Sequence, residues 1–118
     1  MITLRTAPRY ILEDGNYYSN KEHMHVGEGS TINTFGYLTV YPDAPIHIGR
    51  DTINGPYIVI NTGDHIYPAP EPVKGQGYIK SQVFIGDGVW IGARVTILKG
   101  SIIPDGFIIG ACSLITRH

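Results

Sequence analysis

The chain has 118 residues and a mass of 13.0 kDa, enough for one domain with a core and too short for a catalytic domain beside a separate substrate domain. Gly numbers 15, Pro 8 and Ile 18, while Leu and Ala contribute five each; β-branched residues lose rotamer freedom in a helix and suit a pleated surface, so a helix bundle is excluded and a turn-rich all-β chain is predicted. The formal charge is −1 with no basic block to follow a phosphate backbone, which excludes a nucleic-acid partner, and apolar runs of a few residues exclude a membrane span; a single cysteine, Cys112, and no secretory signal predict a reducing, cytoplasmic setting.

In chain order, residues 1–23 show no repeat and carry a turn signal at Glu13-Asp14-Gly15-Asn16, so an irregular N-terminal arm is predicted there. Val26-Gly27 and Ile32 then open a six-residue frame. A second start follows at Ile48-Gly49, Asn54-Gly55-Pro56 and Ile60, with Thr52 and Ile58 at the fifth positions. Val26 and Ile48 are 22 residues apart, which is not a multiple of six, so a small register irregularity lies between them. Residues 61–78 suspend the repeat with Pro68, Pro70, Pro72, Gly75 and Gly77, and read as one protruding loop.

From Ile79 the same residue returns every six positions: Ile79, Ile85, Ile91, Ile97, Ile103, Ile109 and Ile115. Val83, Val89, Val95, Ser101, Phe107 and Ser113 fall four residues after the first six of these, and Gly86, Gly92, Pro104 or Gly110 directly follows four of them. A period of six is neither helical nor a simple alternation. It suits a short strand and a corner, with the Ile inward and the Gly or Asp-Gly positions, such as Asp87-Gly88 and Asp105-Gly106, supplying permissive backbone angles. Three units close a triangular coil of eighteen residues, and coils stacked ~4.8 Å apart form parallel sheets. An ordinary β-sandwich with coincidental spacing is the alternative, but sandwich strands vary in length.

The run Val83-Phe84-Ile85-Gly86-Asp87-Gly88-Val89-Trp90-Ile91-Gly92-Ala93, with Ile97-Leu98-Lys99-Gly100 and Ile109 to Arg117, resembles the hexapeptide-repeat acyltransferases over roughly residues 24–118. The branch it is most similar to holds the maltose and galactoside O-acetyltransferases and related polysaccharide O-acetyltransferases. The resemblance implies an all-β left-handed parallel β-helix and a single domain over 1–118. It also implies a homotrimer with each site between two subunits, and acetyl-CoA as cosubstrate in the groove between neighbouring prisms. The acceptor it implies is a hydroxyl of a sugar, nucleotide sugar or surface-polysaccharide precursor, and no metal is expected.

Within that resemblance His65, in Ile60-Asn61-Thr62-Gly63-Asp64-His65, stands where the family places its catalytic histidine, in a Thr-x-x-His or Thr-Gly-His context. A sugar hydroxyl is a poor nucleophile until its proton is removed, and imidazole titrates near neutral pH. Trp90, Ala93, Ala111, Thr116 and Arg117 match cofactor contacts, Arg117 as a cation suited to phosphate. A packed interface aromatic and small corner residues are the plain readings of Trp90 and the two alanines. Asp43, and Asn33 if a short insertion is allowed, match acceptor contacts, although Asp43 equally suits a turn. Tyr67 and Tyr78 could stack on a sugar ring. Cys112 has no evident base beside it and reads as structural.

The family's helical N-terminal segment has no counterpart here, so a different acceptor side is expected. The resembling enzymes also continue past the Thr-basic pair with a Pro-rich turn and a closing element. Without these, the last coil would expose strand edges and CoA affinity would suffer. Two other functions remain open: a non-catalytic structural β-helix, and a γ-carbonic anhydrase-like metalloprotein. The second needs three histidine ligands, yet His23, His25, His47 and His65 include no close pair of that family's kind near His65.

Overall fold

The computed structural model describes residues 9–66 and 72–117. The first coil holds β1 (Ile11–Leu12), β2 (Tyr17–Ser19) and β3 (Met24–Val26), with a 3₁₀ turn at Lys21–His23. The second holds β4 (Thr31–Ile32), β5 (Tyr37–Thr39) and β6 (Ile46–Ile48). The third holds β7 (Ile53–Asn54) and β8 (Val59–Asn61), is interrupted by β9 (Gly63–His65) and β10 (Tyr78–Lys80), and closes with β11 (Val83–Ile85). β12 (Trp90–Ile91), β13 (Thr96–Ile97) and β14 (Ile102–Ile103) form the fourth, and β15 (Ile108–Ile109) and β16 (Leu114–Ile115) begin a fifth.

Strands stack in parallel into three sheets. The first face is β1-β4-β7-β12-β15, the second β2-β5-β8-β13-β16 and the third β3-β6-β11-β14; β9 and β10 pair only with each other. The result is a parallel β-solenoid, the hexapeptide-repeat fold. No described helix is long and apolar enough to cross a membrane. Part of the expected N-terminal arm belongs to the solenoid: Ile11 pairs with Thr31 and Tyr18 with Leu38. Its sequence hides this because the first coil departs from the six-residue frame at one corner.

That corner explains every irregularity in the repeat. From the first face to the second, and from the third to the first, aligned inward positions are always six residues apart, as in Ile91 to Ile97 and Ile85 to Ile91. From the second face to the third they are 8 apart in the first coil (Tyr18 to Val26), 10 in the second (Leu38 to Ile48), 25 in the third (Ile60 to Ile85) and six in the fourth (Ile97 to Ile103). All inserted chain therefore emerges along one edge of the prism.

The core is one aliphatic column. Ile32, Leu38, Ile46, Ile48, Ile58, Ile60, Val83, Ile85, Val89, Ile91, Val95, Ile97, Ile103 and Ile109 are buried together. The inward Ile and the fifth-position Val of the frame fill it, as the spacing requires. Ile79 obeys the spacing without belonging to the core: it lies on β10, 47% exposed. Buried Ser30 and Thr52 spend their hydroxyls on the ladder, Ser30 Oγ donating to the Gly49 carbonyl at 2.6 Å and Thr52 Oγ1 to that of Gly86 at 2.7 Å.

Glycine has two separate roles. After the inward Val26, Ile48 and Ile85, Gly27, Gly49 and Gly86 are not left-handed; a Cβ on Gly49 would lie 2.7 Å from the Gly86 carbonyl carbon, and one on Gly86 2.6 Å from the Asp105 nitrogen. Close backbone approach between coils demands them, so permissive angles are needed at the Asp-Gly positions, where Gly88 and Gly106 have positive φ, and not directly after the inward residue. Positive φ falls instead on the turn's later residue: Gly29, Asp51, Gly88 and Gly106 on the third-to-first corner, and Gly15, Phe35, Tyr57, Arg94 and Cys112 on the first-to-second corner.

Candidate active site

The second-to-third corner gathers the polar chemistry. Thr62 N–H donates to the Thr39 carbonyl at 3.1 Å, and Thr62 Oγ1 accepts the Tyr41 N–H at 3.0 Å, so the hairpin leaves a fixed point. Gly63 is buried against Tyr41, where a Cβ would sit 2.5 Å from a ring carbon. Beyond it β9 and β10 run antiparallel with His65 opposite Tyr78, Asp64 opposite Ile79 and Gly63 opposite Lys80.

Here His65 is exposed, and its ring centroid is 4.9 Å from that of Tyr78, which in turn lies 5.3 Å from that of Tyr41. Burial pushes the Tyr41 phenol above its ordinary value, with Tyr78 and the Asp64 carboxylate adding to the shift. Lys80 Nζ lies 5.3 Å from the Tyr41 ring centre and 3.5 Å from Asp43 Oδ1. Asp64 Oδ2 meets Lys99 Nζ at 2.8 Å. A basic group, two phenol rings and two carboxylate–ammonium pairs thus share one corner. Imidazole can take a proton there, and the rings offer an apolar wall for a sugar face.

The expected site residues divide between two parts of the prism. His65, Asp43 and Tyr78 share the second-to-third corner. Arg117 follows β16 towards it, its stem passing Gly100, where a Cβ would sit 3.2 Å from Arg117 Cδ; Thr116 precedes it. Trp90 points outward from the first face, between Ile53 and Ile108, and is 56% exposed. Ala93 and Ala111 line the first-to-second corner, where the Ala93 carbonyl accepts the Cys112 N–H at 2.9 Å. Asn33 is also there: its Oδ1 accepts the Thr34 N–H and its own N–H donates to Asn54 Oδ1, both at 2.7 Å. A triangular prism sets the first face opposite the second-to-third corner, so one chain does not unite the two groups. Tyr67 lies outside the described residues.

Tyr41, Asp64, Lys80 and Lys99 were not singled out from the sequence. Lys80 becomes visible only through the hairpin register. Lys99 carried a signal: counting sixes places Leu98-Lys99-Gly100-Ser101 on the same corner as the root of the loop. Of the histidines weighed as metal ligands, His25 and His47 stack at 4.9 Å on the third face, and His47 stacks on Phe84 at 4.5 Å. Among the described residues no three His, Cys, Asp or Glu side chains gather into a possible metal site.

Comparison with known proteins agrees with the fold. Residues 82–117 match the bacterial transferase hexapeptide family (six repeats). Those residues carry the repeat that defines this class. The chain's homologues within that class include a galactoside O-acetyltransferase of Lactococcus lactis, 34% identical over 101 residues, with 86% of this chain and 48% of that protein covered. The crystal structure of a maltose O-acetyltransferase from Clostridium difficile superposes with a TM-score of 0.75 at 29% identity, over 89% of this chain and 55% of that one. A hexapeptide-repeat acetyltransferase of Vibrio cholerae, solved with acetyl coenzyme A, shares the fold at a TM-score of 0.62 and 23% identity, over 93% of this chain and 58% of that one. The chain spans about half the length of the galactoside enzyme.

Proposed function

We propose that the chain is an acetyl-CoA-dependent O-acetyltransferase that acts on a hydroxyl of a sugar or polysaccharide precursor, with His65 as general base. The observation that carries this reading is the exposed imidazole at the root of the hairpin, beside Tyr78 and Tyr41, at the corner where the repeat is interrupted. The activities named for the homologues from Lactococcus and Clostridium support the acetyl transfer, and the acetyl coenzyme A complex from Vibrio supports the cosubstrate. Because Trp90 lies on the face opposite the His65 corner, and Ala93, Ala111 and Asn33 at a different corner, the complete site would form between two copies, as a homotrimer allows. Asp43 and Tyr78 would face the acceptor, and Arg117 the cofactor's phosphates.

In this mechanism the acceptor O–H proton passes to the His65 imidazole as the oxygen attacks the thioester carbonyl. The C–O bond forms, the tetrahedral oxyanion collapses with cleavage of the C–S bond, and the thiolate takes the proton back from imidazolium. Backbone N–H groups at a coil turn are the natural donors to the oxyanion. His65→Ala is expected to keep assembly and CoA binding and to lose about 10²–10⁴-fold in turnover. The assay is acetyl-CoA-dependent acetylation of a panel of sugars and nucleotide sugars, read by mass spectrometry. Turnover of the variant near that of the wild type would overturn the assignment.

A further inference from the structure

Among the described residues, the hairpin that carries His65 is the one pair of strands outside the parallel ladders, since β9 and β10 hydrogen-bond as strands only to each other. Stacking of the coils therefore does not set how it leans on the prism. Two ion pairs tie it down. β10 reaches the coil below, where Lys80 Nζ stands 3.5 Å from Asp43 Oδ1, and the Asp43 side chain is 68% exposed. β9 reaches the coil above, where Asp64 Oδ2 meets Lys99 Nζ at 2.8 Å with both side chains only 28% exposed.

The two ties are unequal. The Lys80 pair is long and largely hydrated, a class that contributes little. The Lys99 pair has the length of a charge-assisted hydrogen bond and is mostly screened from water. The backbone around Lys99 is also anchored: Leu98 N–H donates to the Ile115 carbonyl at 2.9 Å and Gly100 N–H to that of Gln82 at 3.1 Å. Lys99 is thus a fixed post, and Asp64 is the residue directly before the imidazole.

We infer that Lys99 is a positioning residue for His65, acting through the Asp64 carboxylate; the inference rests on the reading of His65 as the base. Without the ammonium, a half-buried carboxylate has no counter-charge and is drawn towards water, pulling β9 off the prism. The register then carries that movement to the imidazole and to Tyr78 opposite it. A displacement of about 1 Å at a catalytic group costs on the order of 10²-fold in rate.

The test compares Lys99→Met, Lys99→Arg and the exchange Asp64→Lys with Lys99→Asp, each against wild type. Lys99→Met is expected to lower kcat at least tenfold with the KM for acetyl-CoA within twofold, Lys99→Arg to keep most of the activity, and the exchange to recover part of what Lys99→Met loses. An unchanged kcat in Lys99→Met overturns the inference, as does an equal loss in Lys99→Arg, which would place the ammonium on the substrate. A second readout does not depend on turnover. The His65 ring signal in the NMR spectrum, assigned by its disappearance in His65→Ala, is expected to be single and sharp in wild type and broadened or split in Lys99→Met. If His65→Ala keeps its activity, the base assignment fails, while the ring signal still reports on the tie; a single sharp signal in Lys99→Met overturns it. Should Lys99→Met fail to fold, Asp64→Asn gives the same two readouts, judged by the same outcomes.

Discussion

At the scale of single residues, the distance between coils decides what each position tolerates. Gly86 lies where the next coil's backbone would be 2.6 Å from a Cβ. Gly86→Ala is expected to cost about 1–3 kcal/mol through overpacking. Gly88 has open space but φ of +63, so Gly88→Ala tests backbone conformation alone, at about 1–2 kcal/mol. Denaturant unfolding of the two variants measures both costs. Tyr18 presents the opposite case. Its hydroxyl is buried near the Asn16 side chain without a well-formed hydrogen bond among the described residues; burial pushes the phenol up and Asn16 partly offsets this. Removing an unsatisfied buried hydroxyl is neutral or stabilising, so Tyr18→Phe should hold or raise the melting temperature. A loss of more than about 1 kcal/mol would show that the hydroxyl has a partner after all.

Among the elements, the hairpin β9–β10 rests on an aromatic seat as well as on its two ion pairs. Tyr41 holds Gly63 against its ring and stands beside Tyr78, and its phenol is raised above its ordinary value of 10.0. The folded chain therefore holds this proton more tightly than the unfolded chain does. The resulting stability is complete below pH 10 and is lost as pH rises past that value towards the folded one. Melting temperatures measured from pH 8 to 11 should fall more steeply above 10 in wild type than in Tyr41→Phe. This seat was not legible beforehand. Ile79 keeps the six-residue spacing and so looks like a seventh core position, but it is half exposed on β10. Spacing records only where a residue falls along the chain. Whether a strand joins a ladder depends on the partner beside it, and here the antiparallel partner of Ile79 is Asp64 of β9, fifteen residues upstream across a proline-rich connection.

For the whole molecule, the division of the expected contacts between a corner and the face opposite it has a direct consequence. If His65 of one copy works with Trp90 of the next, His65→Ala and Trp90→Ala should each be deficient alone and complement one another when mixed. In randomly reassembled trimers about a quarter of the sites would draw both residues from intact partners, so about a quarter of wild-type turnover should return. No recovery on mixing, with reassembly verified by mass, would place both residues in one chain's site. The prism also accounts for the exposed apolar residues. Trp90, Ile102, Ile108 and Leu114 point outward because each is the partner in alternation of an inward Ile.

The sequence by itself determined the solenoid over its second half, the inward column of Ile and Val, the interruption after Ile60 and the histidine at its edge. Each is a property of order along the chain, and a strict period translates directly into stacking. Only the tertiary structure decided that residues 11–19 form a first coil, that every insertion emerges at one corner, and that Asp64 finds Lys99 while Lys80 finds Asp43. Those partners lie 35 and 37 residues apart, so no local propensity couples them. They meet because coils of 22 and 37 residues bring the same corner back into register, and stacking converts distance along the chain into contact.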